Sequence, residues 1–266
     1  MPRVADYVMQ RLYEAGARHV FLVTGRGMLY LSDALARQDG LCGISVHHEQ
    51  TASYAAMAYA QKTDNIGVAM VSTGCASTNA ITGVLCAWQD NLPCVFISGQ
   101  NKLEETTRYT NLPIRTYGQQ EADIVSLVKP ITKYATMITK AEDIAYEMDK
   151  ALFLANDGRK GPVWIDIPLD VQNMRVEEEN LKHFVPDICI KKPNNKDIEL
   201  VIKKINSAKR PVILYGSGIR AAKAQEELKT FIAKYKIPAL YSGSSVDILD
   251  SNNELVIGCV GAMAAN

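Results

Sequence analysis

Short runs of β-forming apolar residues alternate with stretches of helical periodicity over the first two thirds of the chain, and this alternation restricts the fold more than any other feature. Val4, Val8 and Leu12 recur at helical spacing, with Gly16 placed as a C-terminal cap. Strands are expected over residues 19–23, 44–48, 67–72, 94–98, 134–137 and 163–166. Helices are expected over 28–37, 51–61, 77–88, 124–128 and 141–155. Strands that run parallel need crossover connections, and intervening helices supply them. The pattern therefore predicts an α/β fold, a parallel sheet with helices on both faces.

The character changes after Pro168. Glu177-Glu178-Glu179, Pro186 and Lys191-Lys192-Pro193-Asn194-Asn195 form a charged, proline-punctuated stretch without sustained periodicity, which reads as a linker. A second α/β pattern follows, with helices over 197–208 and 221–235 and strands over 211–215 and 238–241. The expected organisation is a first domain at 1–170, a linker at 171–195 and a partial second α/β domain at 196–266. So small a parallel sheet buries little apolar surface on two faces, so the second domain is expected to be cut short at Asn266.

Formal net charge is zero, which offers no electrostatic footprint for nucleic acid or for an anionic membrane. No apolar run approaches the ~18 residues of a membrane span, and Met1-Pro2-Arg3 leads directly into an amphipathic pattern. Neither a signal peptide nor a membrane partner is expected. The composition, 47% hydrophobic and 22% charged, suits a core that needs no disulfides. The six cysteines contain no C-x-x-C pair and read as reduced thiols of a cytoplasmic protein.

Residues that could do chemistry gather just after the strands, where open α/β sheets bind ligands. Glu49 follows the β-rich segment Gly43-Ile44-Ser45-Val46-His47-His48 and opens an alanine-rich helix. A first-turn acid is also favoured by the helix dipole, so spacing leaves both roles open. In Ser72-Thr73-Gly74-Cys75-Ala76-Ser77-Thr78-Asn79, small residues would let the backbone approach a flat ring, while Ser72 and Asn79 offer hydrogen bonds. Cys75 has no assignable histidine partner and reads most simply as a small buried cysteine. His47 and His48 lack a third ligand at metal spacing, so no metal ligand is assigned. The polar connection over 100–123 is long for a loop and holds Arg108, Tyr109, Arg115, Tyr117, Gln119 and Gln120. It is expected to line a polar substrate pocket. Gly216-Ser217-Gly218-Ile219-Arg220-Ala221 matches a dinucleotide-binding turn, but Tyr241-Ser242-Gly243-Ser244 stands where its acidic ribose partner would be. A tight strand–helix turn that binds no nicotinamide is expected there.

Phe21-Leu22-Val23-Thr24-Gly25, His48-Glu49-Gln50, the turn from Ser72 to Asn79, Ile97-Ser98-Gly99-Gln100, Ile131-Thr132-Lys133 and Gly161-Pro162-Val163-Trp164-Ile165-Asp166-Ile167-Pro168 occur in that order. Together they resemble the N-terminal, pyrimidine-binding domain of thiamine diphosphate-dependent enzymes of the acetolactate synthase group. The segment after residue 196 resembles part of the middle domain of that group, which carries a flavin in some members. The resemblance implies that Glu49 is the catalytic carboxylate against the cofactor's aminopyrimidine, that Gly25, Ser72, Asn79 and Gln100 also contact the cofactor, and that Gln120 faces the substrate. It implies a 2-keto acid decarboxylase or carboligase, assembled as a homodimer or homotetramer through its pyrimidine domains.

The chain departs from the family pattern at several positions. Thr24 replaces a proline and Arg26 a glycine, Cys75 and Ala76 replace a proline and a glycine, and Gln119 replaces an aromatic residue. The last change implies a more polar acceptor pocket. Family members hold the diphosphate through magnesium on a Gly-Asp-Gly motif in a C-terminal domain, and these 266 residues contain no Gly-Asp-Gly. The chain by itself is therefore expected to be inactive. A non-enzymatic ligand-binding or assembly subunit, completed by a partner chain, is the rival expectation. The small residues of 51–61 suit an interface between copies as well as an ordinary buried helix.

Overall fold

The computed structural model describes residues 1–187 and 192–261, which form two compact units, Met1–Pro186 and Asp187–Asn266. Residues 188–191 of the expected linker and 262–266 of the expected second domain lie outside the described residues.

The first unit runs α1 (Val4–Glu14), β1 (His19–Leu22), α2 (Leu29–Arg37), β2 (Cys42–Ser45), α3 (Glu49–Thr63), β3 (Gly67–Val71), α4 (Cys75–Asn79), α5 (Ile81–Asp90) and β4 (Cys94–Gln100). It continues through α6 (Thr107–Thr110), α7 (Ile124–Val128), β5 (Tyr134–Met137), α8 (Ile144–Asn156), β6 (Val163–Pro168) and α9 (Leu169–Asn173). The six strands are all parallel, in the order β2-β1-β3-β4-β6-β5. From β1 the chain steps outward to β2 and then returns to the other side of β1 as β3. The carboxyl ends of β1 and β3 thus flank a topological switch point, where loops diverge and leave a crevice.

Period-two alternation divides the inner strands β3, β4 and β6 between two cores. Val68, Met70, Val95, Ile97, Val163, Ile165 and Ile167 pack with α1, α2, α8 and α9. Ala69, Val71, Cys94, Phe96 and Trp164 pack with α3, α5 and α7. The expected parallel sheet with helices on both faces is therefore present. Phe96 and Trp164 stack at 5.5 Å in the second core.

The structure corrects several sequence-based boundaries. The strand expected over 44–48 ends at Ser45, because its only neighbour, β1, stops at Leu22 and leaves His47 and His48 without a ladder partner. His48 instead caps α3, its Nδ1 accepting from Gln50 N at 3.1 Å. Ala52, Ser53, Ala56 and Ala60 are buried within the unit, while Ala55 is half-buried and Ala58 exposed. A Cβ on Gly67 would lie 2.0 Å from the Ala56 carbonyl oxygen, so α3 needs its small residues to sit this close to β3. Just after β6, Val171, Gln172 and Val176 are buried, and Val176 N donates to Pro2 O at 3.0 Å. The start of the stretch read as linker is thus packed on the first unit.

The second unit contains α10 (Asn195–Ser207), β7 (Ile213–Tyr215), α11 (Gly218–Ala221), α12 (Gln225–Tyr235), β8 (Ala239–Tyr241) and β9 (Val256–Cys259). Its three strands are parallel, in the order β7-β8-β9. Tyr215, Leu228, Ile232, Ala239, Ile248 and Leu249 form a small core, whereas Leu214 and Ile257 are exposed. Among the described residues no helix is long and apolar enough to cross a membrane.

Candidate functional site

Four strand-exit loops of the first unit converge on one cavity of about 350 Å³. After β1 come Thr24, Gly25, Arg26 and Gly27; after β2, Glu49; after β3, Ser72, Thr73, Cys75, Ala76 and Asn79; after β4, Asn101, Gln119 and Gln120. Five residues singled out from sequence, Gly25, Glu49, Ser72, Asn79 and Gln120, therefore meet at the switch point.

The floor of the cavity is closely bonded. Ser72 Oγ accepts from Gly27 N at 3.2 Å, and Thr73 Oγ1 donates to Gly99 O at 3.3 Å. A Cβ on Gly25 would come within 2.4 Å of Ser72 Oγ, so the β1 and β3 turns touch backbone to side chain. Gly74 has φ +64°, and a Cβ there would lie 1.5 Å from the Gln120 carbonyl oxygen. Only glycine meets both conditions, the positive φ and the close approach.

Glu49 is the first residue of α3, at the positive end of the helix dipole. Its Oε2 accepts from Asn79 Nδ2 at 3.0 Å. Glu49 is half-buried, not dry, because β2 is the edge strand of the first unit's sheet. Among the described residues Glu49 is the only acidic side chain lining the cavity and Arg26 the only basic one.

The wall after β4 is organised. Glu121 holds it together, Oε1 accepting from Thr107 N at 2.8 Å and Oγ1 at 2.6 Å, and Oε2 from Tyr117 N at 2.9 Å. Asn101 Nδ2 donates to Gln119 O at 3.0 Å, and Arg26 Nη1 donates to Gln119 Oε1 at 2.7 Å. Of the long connection, Gln119 and Gln120 reach the cavity, with Asn101 at its start. Arg108 pairs with Asp123 at 3.0 Å, while Arg108, Tyr109, Arg115 and Tyr117 do not line the cavity.

Gln100 stands apart from these residues. It is buried and absent from the cavity lining, because it shares a strand face with Ser98, whose side chain turns into the core. Its Nε2 donates to Ala122 O and to Asp166 Oδ2, each at 3.2 Å, and its Oε1 accepts from Asn101 N at 3.0 Å. Asp166 Oδ1 accepts from Ser98 Oγ at 2.6 Å, and Ser98 Oγ accepts from Trp164 Nε1 at 2.8 Å. Burial pushes the Asp166 carboxyl up to about 7, against the lowering effect of its bonds to Ser98 and Gln100. This network stands behind the cavity wall and supports it. Asp166 carries no local sequence signal of this role, since only the pairing of β4 with β6 sets Ser98 beside it.

Cys75 lines the cavity and is exposed, contrary to the buried cysteine expected. In the second unit the turn after Tyr215 leads into α11, a single short turn of helix, with α12 beginning only at Gln225. Among the described residues no cluster of three or more His, Cys, Asp or Glu could hold a metal ion.

Residues 2–127 match the family of thiamine pyrophosphate enzyme N-terminal TPP binding domains, and residues 198–266 match that of thiamine pyrophosphate enzyme central domains. The chain is 33% identical over 262 residues to the acetolactate synthase large subunit of Lactococcus lactis, covering 97% of this chain and 44% of that protein. It is 30% identical over 264 residues to the acetolactate synthase isozyme 3 large subunit of Escherichia coli, again 97% and 44%. It is 33% identical over 267 residues to the probable acetolactate synthase large subunit of Methanocaldococcus jannaschii, 97% of this chain and 43% of that protein. The chain thus spans less than half the length of these relatives.

Proposed function

The chain belongs to the thiamine pyrophosphate enzymes, over their N-terminal and central domains, and on that premise we propose that its cavity holds the aminopyrimidine of thiamine diphosphate in a 2-keto acid decarboxylase or carboligase. The observation that carries this is Glu49, set at the switch point with one carboxylate oxygen engaged by Asn79 and no other acid in the cavity. A cavity of about 350 Å³ is large enough for one substituted ring. The β1 and β3 turns pack too closely for a side chain at position 25, whose Cβ would lie 2.4 Å from Ser72 Oγ, and both turns line the cavity.

Thiamine diphosphate, when bound, supplies the electron sink that takes up the bonding pair as carbon dioxide leaves a 2-keto acid. In this proposal Glu49 holds and returns the proton at the pyrimidine ring nitrogen, and Asn79 fixes the carboxylate's orientation. Gly25 and Ser72 form the base of the ring site, Gln120 faces the substrate, and Gln100 acts from behind the wall. The diphosphate and its magnesium would be held by another domain, because Glu49 is the only carboxylate available in the cavity. A second body covering the half-buried Glu49 would also supply the water exclusion that proton transfer at this site needs. A homodimer or homotetramer would provide such a body, and a cytoplasmic setting suits a chain with reduced thiols.

The test is calorimetric titration of the protein with thiamine and with thiamine diphosphate, in wild type and Glu49→Gln. Loss of a hydrogen bond to a charged group is worth about 1.5–3 kcal/mol, so the variant should bind roughly ten- to a hundredfold more weakly. Equal affinity of both proteins for thiamine would overturn the assignment.

A further inference from the structure

Arg26 and Gln119 are separated by 93 residues in sequence and joined at 2.7 Å across the cavity. They project from the exits of β1 and β4, which lie on either side of β3 in the sheet, so their bond passes above the Ser72–Cys75 turn. Gln119 is itself held through its backbone carbonyl, which accepts from Asn101 Nδ2 at 3.0 Å. Among the described residues Arg26 makes no ion pair, and its only side-chain partner is Gln119 Oε1. The guanidinium therefore has one nitrogen engaged by a neutral, replaceable acceptor and its remaining donors uncommitted. A planar fork in this state is matched to a carboxylate, which can take two parallel bonds where the amide takes one.

We infer that Arg26 is a specificity-determining residue that selects a substrate carrying an anionic group retained in the product, such as the second carboxylate of a dicarboxylic 2-keto acid. The inference rests on the function proposed above. The carboxylate lost as carbon dioxide is a poor partner for Arg26, because its charge must flow out of that group as the bond breaks. An ion pair there would stabilise the ground state more than the transition state and slow the reaction. A carboxylate that survives the reaction keeps its charge throughout, so binding it costs the chemical step nothing. The neutral side chains around Arg26, among them Thr24, Asn101, Gln119 and Gln120, provide a polar wall with no competing acid on that side. Glu49 is already engaged with Asn79 after β2.

The experiment titrates the protein with pyruvate, which has one carboxylate, and with 2-oxoglutarate, which has two, following the Arg26 and Gln119 side-chain resonances by NMR. The wild type should prefer 2-oxoglutarate by roughly five- to tenfold at low salt, with the preference shrinking as ionic strength rises, since the site is open to solvent. Arg26→Gln should remove the preference, and Arg26→Lys should restore part of it by keeping the charge without the fork. Equal binding of the two acids by the wild type, or an undiminished preference in Arg26→Gln, would overturn the inference. A parallel thiamine titration separates it from the cofactor assignment. Glu49-dependent thiamine binding without acid selectivity removes the role of Arg26 alone. Arg26-dependent selectivity without thiamine binding supports the anion site and removes the cofactor reading.

Discussion

Replacing Asp166 with asparagine should flatten the pH dependence of unfolding of the first unit. The Asp166 side chain is 1% exposed, and burial pushes its carboxyl up to about 7, with Asp123 adding to the rise and Ser98, Gln100 and Arg108 opposing it. In the unfolded chain an aspartate titrates near ~3.9. Between these two values the folded state holds more protons than the unfolded state, so stability falls as pH rises and levels off above the folded value. The stability contributed by the protonated form is fully present below about pH 4 and is lost as pH passes through about 7. At about 1.4 kcal/mol per unit, the two units from pH 5 to pH 7 correspond to about 3 kcal/mol, a large share of a domain's net stability. Asparagine cannot ionise, and its Nδ2 would face the donor Gln100 Nε2. The variant should therefore be less stable than wild type at pH 5, by roughly 1–3 kcal/mol for the mismatched bond, and should close or reverse that gap by pH 8. Urea unfolding followed by Trp164 fluorescence in a Trp88→Phe background reads the first unit alone, since Trp164 is buried and bonded to the Ser98 hydroxyl within this network. Parallel stability curves for the two proteins from pH 5 to pH 8 would refute the reasoning.

Other perturbations follow from the same geometry. Gly74→Ala should disrupt the cavity wall, because its Cβ would lie 1.5 Å from Gln120 O; amide exchange of the 117–122 backbone should rise while β3 and β4 stay protected. Ala56→Glu should destabilise the first unit by roughly 3–5 kcal/mol by burying an unpaired charge against β3, seen as a lower urea midpoint before any change in association. Native-state thiol titration should label Cys42, Cys75 and Cys259 quickly and Cys94 last, since Cys94 is buried and burial pushes its thiol up; thiamine diphosphate should protect Cys75 specifically.

The two periodicities of the chain were enough to determine the parallel sheet and its two helical layers. Apolar alternation such as Val68 and Met70 against Ala69 and Val71 is a local property, and it survives whatever the neighbouring strand does. The placing of Gly25, Glu49 and Ser72 at the cavity has a related reason: each stands within a few residues of a strand end, and parallel strands deliver such residues to one edge, whereas Asn79 reaches it from the end of α4. What each side chain does at that edge was decided by tertiary structure. Gln100 lies at the end of a strand like the others, yet the pleat that buries Ser98 carries Gln100 to the same face, and β4–β6 pairing supplies Asp166 to receive it. Glu49 opens a helix as expected, but the exposure of an edge strand, which depends on strand order, leaves it only half-buried. The contact between Arg26 and Gln119 has no local sequence signal at all, because it exists only once the order of β1, β3 and β4 has brought two distant loops over the same turn.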